Sequence, residues 1–175
     1  AAALPGSGVA GLANEIVAFG ADKVYVMDAP VLKDYSPDAY VAAVQKLCVE
    51  SKPQIVLMGQ TPLGRDLAPR LGFRLNAAVS MDCVELSIDP QSKQLLQTKP
   101  VYGGNARATF VSKSLPQVAT VRVKAMSPLQ RNDARQGEVV PVAVDVPASA
   151  VRVKVLDRIK QEVTGVKLED AEVVI

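Results

Sequence analysis

The chain has 175 residues, 49% of them apolar but only 4% aromatic, with 20 basic and 18 acidic residues, two cysteines and no histidine. That length supports one domain with a real core, built here from Val, Leu, Ile and Ala, as suits a sheet covered by helices on both faces. The charge balance excludes the electrostatic footprint of a nucleic-acid binder; so few cysteines exclude a disulfide framework and fit a reducing compartment; and without histidine there are no Ser-His or Cys-His nucleophile pairs and no imidazole metal ligands.

In chain order, the opening "AAALPGSGVAGLANEI" has no charged leader region and is not read as a signal peptide. Leu12 to Phe19 reads as a short helix with Leu12, Ile16 and Phe19 on one face, stopped by Gly20. Lys23 to Met27 reads as a strand ended by Asp28 and Pro30. Ser36-Pro37-Asp38 is a helix start, with Ser36 as cap, Pro37 at the first helical position and Asp38 at the positive end of the dipole. Tyr40, Val44, Leu47 and Cys48 follow at helical spacing, and Pro53 closes the segment. "QIVLMG" is an apolar strand, followed by a Gly-bearing loop and a helix to Leu75. Strand, helix, strand, helix in this order implies parallel strands with right-handed crossovers.

After Asn76 strands dominate. "AAVSMDCVELSID" reads as one strand, "DPQSK" as a turn, and "QLLQTKPVYG" as its partner. "ARATFVS" and "QVATVRVKAM" read as two more, separated at Pro116; "SPLQRNDARQGE" is a polar loop. "VVPVAVDV" and "VRVKVLDRI" read as further strands, the second placing Arg152, Lys154 and Arg158 on the wet side of a sheet edge. "AEVVI" reads as the start of another buried strand. No apolar run approaches the roughly 20 residues of a membrane span, so no membrane insertion is expected.

"GADKVYVMD", the Ser-Pro-Asp-Ala-Tyr helix, "KPQIVLMGQTPLGRDLAPRLGFRL", "SMDCVEL", "KPVYGGNARAT", "PQVATVR" and "GVKLEDAEVVI" occur in an order that resembles the N-terminal domain of the alpha subunit of electron-transfer flavoproteins. The resemblance implies an α/β fold: a Rossmann-like, mainly parallel sheet with flanking helices of the adenine-nucleotide hydrolase-like type, plus an antiparallel, strand-rich C-terminal half. It implies residues 1–165 as that domain and 166–175 as the start of an FAD-binding domain, with FAD held by the full-length parent and not by this stretch. Implied partners are the beta subunit, which holds AMP in this family, the parent's own FAD domain, and acyl-CoA or related dehydrogenases as electron donors. The implied location is bacterial cytoplasm, or the mitochondrial matrix in a eukaryote. The chain departs from the family at its start, where a strand–helix–strand unit is missing or reduced to "AAALPGSGVAG".

In the beta subunit the loop after the strand matching "QIVLMG" approaches the AMP phosphate, which makes Gly59, Gln60, Thr61, Gly64 and Arg65 the nucleotide-loop candidates here. A helix start offers outward amides, Thr61 is a capping hydroxyl, Gly64 permits close approach, and Arg65 supplies a bidentate fork. The competing reading, which we favour, is a structural turn with Arg65 and Asp66 as a surface or interface pair. No Lys-Ser/Thr follows these glycines, which excludes a Walker loop, and G-x-G-x-x-G is read as absent from the chain. Pro69 is expected to kink or shorten the helix. "VYGGNA" is read as a hairpin turn, with a loop facing the beta subunit or flavin domain as the alternative. Cys48 and Cys83 are read as core residues, and Asp28, Asp66 and Asp82 as caps and surface charges, not as a metal cluster. No catalytic residue is assigned.

Overall fold

The computed structural model describes residues 1–153, 155–157, 159 and 173. Its order is β1 (Ala2–Gly6), α1 (Ala13–Ala18), β2 (Lys23–Asp28), α2 (Pro37–Ser51), β3 (Ile55–Gly59), α3 (Pro62–Leu75), β4 (Val79–Cys83), β5 (Glu85–Ile88), β6 (Leu95–Val101), β7 (Ala106–Val111), β8 (Gln117–Val121) and β9 (Glu138–Pro141). Among the described residues three three-stranded sheets result, in the orders β1-β2-β9, β3-β8-β4 and β5-β6-β7. The first two are parallel and the third is antiparallel. The α/β class read from the sequence is the observed one. The antiparallel part is confined to residues 85–111, because β8 and β9 return to the parallel sheets.

The first correction lies at the start of the chain. "AAALPG", given no element in the sequence reading, forms a strand: Ala2–Gly6 is β1, paired with β2 from Ala2↔Val24 to Gly6↔Asp28. The run is Ala-rich and contains Pro5, so its composition hides a strand that pairing with β2 supplies. The second correction concerns α1. Its buried side chains are Ala13, Val17 and Ala18; Ala13 and Val17 pack with Val24 and Val26 of β2, Ile16 is half-buried against them, and Leu12 and Phe19 lie outside the helix and are exposed.

In α2, Tyr40, Val44, Leu47 and Cys48 are buried as their spacing requires, joined by Ala39, Val41 and Ala43. With Met27, Leu32, Leu67 and Leu71 they form the main core. Ser36 sits at the cap position in extended conformation, but its hydroxyl makes no capping bond and is buried without a partner. α3 runs unshortened through Pro69 to Leu75 and ends where Asn76 turns left-handed. Both helix ends use a left-handed cap without glycine, Lys52 at φ 46 and Asn76 at φ 52.

The run expected to be one strand from 77 to 89 is two. The register against β8 shifts between Ser80 and Cys83, and Asp82 has φ 63. β4 therefore ends in the parallel sheet, and β5 begins in the antiparallel one, as a bulge allows a chain to bend and leave a ladder. Gln117 holds these sheets together from the buried start of β8. Its Oε1 accepts from the Leu95 amide at 2.8 Å, and its Nε2 donates to the Ser112 carbonyl at 3.0 Å.

Two later strands were over-read. Of "VVPVAVDV" only residues up to Pro141 join a ladder; Val142, Val144 and Val146 continue outside it, half-buried against the main core. The described residues of "VRVKVLDRI" form no strand, and Arg152 approaches Asp38 of α2 with its Nε 3.8 Å from the carboxylate. Lys154, Arg158 and Lys160 lie outside the described residues, as does "AEVVI" except for Val173, which is 77% exposed.

Gln117→Ala should leave the Leu95 amide buried without an acceptor, at a cost of about 1–3 kcal/mol. Urea unfolding should show the lower midpoint, and hydrogen exchange should show the Leu95 amide losing protection before the α2 amides. Equal loss across both regions would remove Gln117 from the role of sheet connector.

Candidate functional site

In open α/β sheets, ligands collect outside the carboxyl ends of the strands. Two glycine-bearing turns stand there, one after β3 and one after β1. The turn after β3 carries the sequence candidates. Thr61 caps α3: its Oγ1 accepts from the Gly64 amide at 3.2 Å, and its carbonyl accepts from the Arg65 amide at 2.9 Å. Pro62 occupies the first helical position and has no amide to offer. The first turn of α3 thus leaves Leu63 as the one amide not accounted for by these bonds. A Cβ at Gly64 would lie 1.9 Å from the Gly59 carbonyl oxygen, so the room that glycine creates is filled by the preceding strand.

Gln60 points back into the sheet. Its amide donates to the Val121 carbonyl at 2.7 Å, and its Oε1 accepts a hydrogen bond from the Thr120 hydroxyl. Arg65 is exposed and does not pair with Asp66. Asp66 instead accepts from the Tyr35 hydroxyl at 2.8 Å and from Arg70 Nε at 2.9 Å, one helical turn on. Partial burial pushes against ionisation of Asp66, but these two donors prevail and hold its carboxyl below the usual range. Burial and the bond to Asp66 push the Tyr35 phenol well up.

The same Thr120 hydroxyl accepts from the Asp82 amide at 2.8 Å. The Asp82 carboxylate takes a bidentate grip from Arg122, with Nε at 3.0 Å and Nη2 at 2.6 Å. That bond first, aided by the charges of Arg122, Lys99 and Arg65, lowers the Asp82 carboxyl against a smaller opposing effect of burial. Gln60, Thr120, Asp82 and Arg122 therefore form one network across the ends of β3, β8 and β4. Arg122 and Thr120 were not singled out in the sequence. Nothing local links them to Asp82, 38 and 40 residues away.

The turn after β1 was also missed. Gly6-Ser7-Gly8-Val9-Ala10-Gly11 is a G-x-G-x-x-G sequence between a strand and a helix, with Asp28 at the end of the next strand. The reading that G-x-G-x-x-G is absent is thereby corrected; the Ala-rich, Pro-containing run that precedes it does not look like the strand that frames the motif. The Asp28 carboxylate takes the place an anionic ligand would fill, accepting from the amides of Gly8 at 2.7 Å, Val9 at 3.1 Å and Ala10 at 3.2 Å. The turn thus carries its own counter-charge.

At "VYGGNA", Tyr102, Gly103 and Gly104 take φ of 51, 67 and 97, and Asn105 stays right-handed. This is the connection between β6 and β7, with Tyr102 84% exposed. Cys48 and Cys83 are buried, and burial pushes both thiols up. Asp28, Asp66 and Asp82 serve three separate clusters, and no group of three or more metal-ligating side chains gathers among the described residues.

Gly64→Ala should be destabilising by about 1–3 kcal/mol or more, since backbone at β3 must move to admit the methyl; a thermal melt would show it, and an unchanged melting temperature would contradict the close packing. Because Asp82 is lowered in the folded state, the stability it contributes is complete above the unfolded carboxylate value near about 4 and is lost as pH falls through the lower folded value. Asp82→Asn should therefore flatten the acid side of the urea-midpoint profile and do so less at high salt. The same slope in both proteins would rule the pair out as an acid-sensitive element.

Comparison with known proteins adds the lineage. A family model described as "Electron transfer flavoprotein domain" matches residues 1–147. The electron transfer flavoprotein subunit alpha of Thermoanaerobacterium thermosaccharolyticum is 40% identical over 175 residues, covering 99% of this chain and 53% of that protein. The lactate dehydrogenase (NAD(+),ferredoxin) subunit LctC of Acetobacterium woodii is 31% identical over 175 residues, covering 99% of this chain and 41% of its own length. Protein FixB of Azotobacter vinelandii is 32% identical over 160 residues, 90% of this chain and 44% of that protein. The chain spans about half the length of the curated relatives it matches. With parallel sheets flanked by helices and a family match over most of its length, this chain belongs to the electron transfer flavoprotein domain family.

Proposed function

We propose that the chain is the scaffold domain of an electron-transfer flavoprotein alpha subunit. It packs against a beta subunit and supports the parent's FAD domain, while the assembled protein carries electrons from flavin dehydrogenases, such as acyl-CoA dehydrogenases, to a downstream acceptor. The domain contributes assembly and has no catalytic site of its own. One observation carries this reading: the polar groups at the strand ends are consumed internally. Asp28 fills the amide nest after β1, and the Gly59 carbonyl fills the space at Gly64. Neither turn fits a flavin or its pyrophosphate, which need free amides and room for backbone approach.

FAD bound elsewhere in the parent would supply the one- and two-electron chemistry; this domain's own residues hold the platform in shape. AMP in the partner subunit is part of the proposal and rests on the family resemblance alone. Residues 1–165 are proposed as the scaffold and 166–175 as the beginning of the flavin domain. No helix among the described residues is long and apolar enough to cross a membrane, which suits the proposed cytoplasmic or matrix location. The second reading is an adenine-nucleotide module at Gly59, Gln60, Thr61, Gly64 and Arg65, favoured by the capped start of α3 and the exposed guanidinium of Arg65.

Purified 175-residue chain should emerge from gel filtration colourless and should co-elute with a family beta subunit when the two are expressed together. Yellow colour retained by the chain alone, or failure to co-elute, would overturn the scaffold reading. Millimolar AMP or ATP should leave its melting temperature unchanged, because a ligand that binds the folded state must raise it; a dose-dependent rise abolished by Arg65→Ala would establish the second reading instead.

A further inference from the structure

α2 and α3 pack side by side, and the groove between them opens into a cavity of roughly 790 Å³. Val41 and Ala42 of α2 and Pro69 of α3 give it an apolar floor, while Arg70, Arg74 and Arg152 stand against one lining carboxylate, Asp38. Asp38 is engaged by Arg152 and Asp66 by Arg70, which leaves Arg74 with no carboxylate partner among the described residues. On the adjoining lip, Phe73 is 86% exposed in a chain with only three phenylalanines. Phe73 and Arg74 lie three and four residues after Arg70, so both neighbour it on one face of α3.

An aromatic beside guanidiniums over an apolar floor is the composition of a protein docking surface, in which a few aromatic and Arg side chains carry most of the binding. The charge selects the partner: carboxylates pair with guanidiniums in bidentate fashion, and the surplus here is positive. A nucleic acid would need a denser row of cations along its phosphates, and Asp38 would repel it.

We propose that the α2–α3 groove docks an acidic amphipathic segment of a partner protein. Apolar side chains of that segment rest on Phe73 and the Val41–Ala42 floor, and its carboxylates meet Arg74. The proposal is independent of which cofactor the assembled protein carries.

The test uses the full 175-residue chain and a fluorescein-labelled helical peptide with Leu on one face and Glu on the other. A peptide with Lys in place of every Glu is the control. Fluorescence anisotropy should show binding of the Glu peptide alone, weakening as salt rises. Arg74→Glu should weaken it roughly tenfold, as expected when a rim charge is reversed. Phe73→Ser should weaken it while leaving the salt slope unchanged. Both side chains are exposed, and unchanged thermal melts would confirm folding of the variants. Equal binding of the Lys peptide, no binding of either, or indifference to Arg74→Glu would overturn the proposal. So would sedimentation showing a dimer that Phe73→Ser dissolves, which would assign the face to a second copy of the chain.

Discussion

Within four residues, Ser80 to Cys83, the chain must stop pairing in a parallel sheet and turn toward an antiparallel one. Asp82 makes that corner in left-handed conformation, which is unfavourable for a residue with a side chain and persists where neighbours over-determine it. Here they do. Its amide is held by Thr120, its carboxylate by Arg122, and on either side the Val84 amide reaches the Thr98 carbonyl while the Arg122 amide reaches the Cys83 carbonyl, at 2.9 and 2.8 Å. With Gln117 bridging to Leu95 and Ser112, these bonds position the antiparallel layer against the parallel one. The small cluster of Cys83, Leu95 and Ala119, with Ile55 and Leu86 packed on it, fills the space so defined.

The two glycine-bearing turns both place backbone amides that the chain's own groups engage. Each follows a parallel strand and opens a helical segment, the arrangement in which nucleotide phosphates are bound elsewhere. In the first, an aspartate from the neighbouring strand takes up the amides. In the second, Thr61 takes up the Gly64 and Arg65 amides, Pro62 offers none, and the Gly59 carbonyl fills the room beside Gly64. The chain itself engages the amides of Gly8, Val9, Ala10, Gly64 and Arg65, so the domain keeps its shape while the proposed chemistry belongs to other parts of the parent. Its outward features are of another kind: Phe73 on α3, Tyr102 at a hairpin tip, and cations around a groove.

Much of this was legible in the residues. α2 was readable because Pro37 and Asp38 mark its start and its apolar positions repeat at the helical period; the turn at Asp89 and the hairpin at Gly103-Gly104 were readable because their chemistry is local. Thr61 was readable as a cap for the same reason. Ser36 looked equally suited and does not cap, since burial beside Tyr40 and its neighbours, and not the identity of the residue, set where its hydroxyl lies.

What composition and period specify is whatever depends on neighbours a few residues away: the class of fold, the long helices, the tight turns and the exclusion of histidine chemistry. What they leave open depends on partners far along the chain. β1 becomes a strand because β2 lies beside it, Asp82 becomes a corner because Thr120 and Arg122 arrive from β8 and the residue after it, and Asp28 becomes a cap because parallel pairing brings it to Gly8. Those pairings turn on the geometry of packed elements, and a linear pattern carries no record of which distant group will satisfy a given amide.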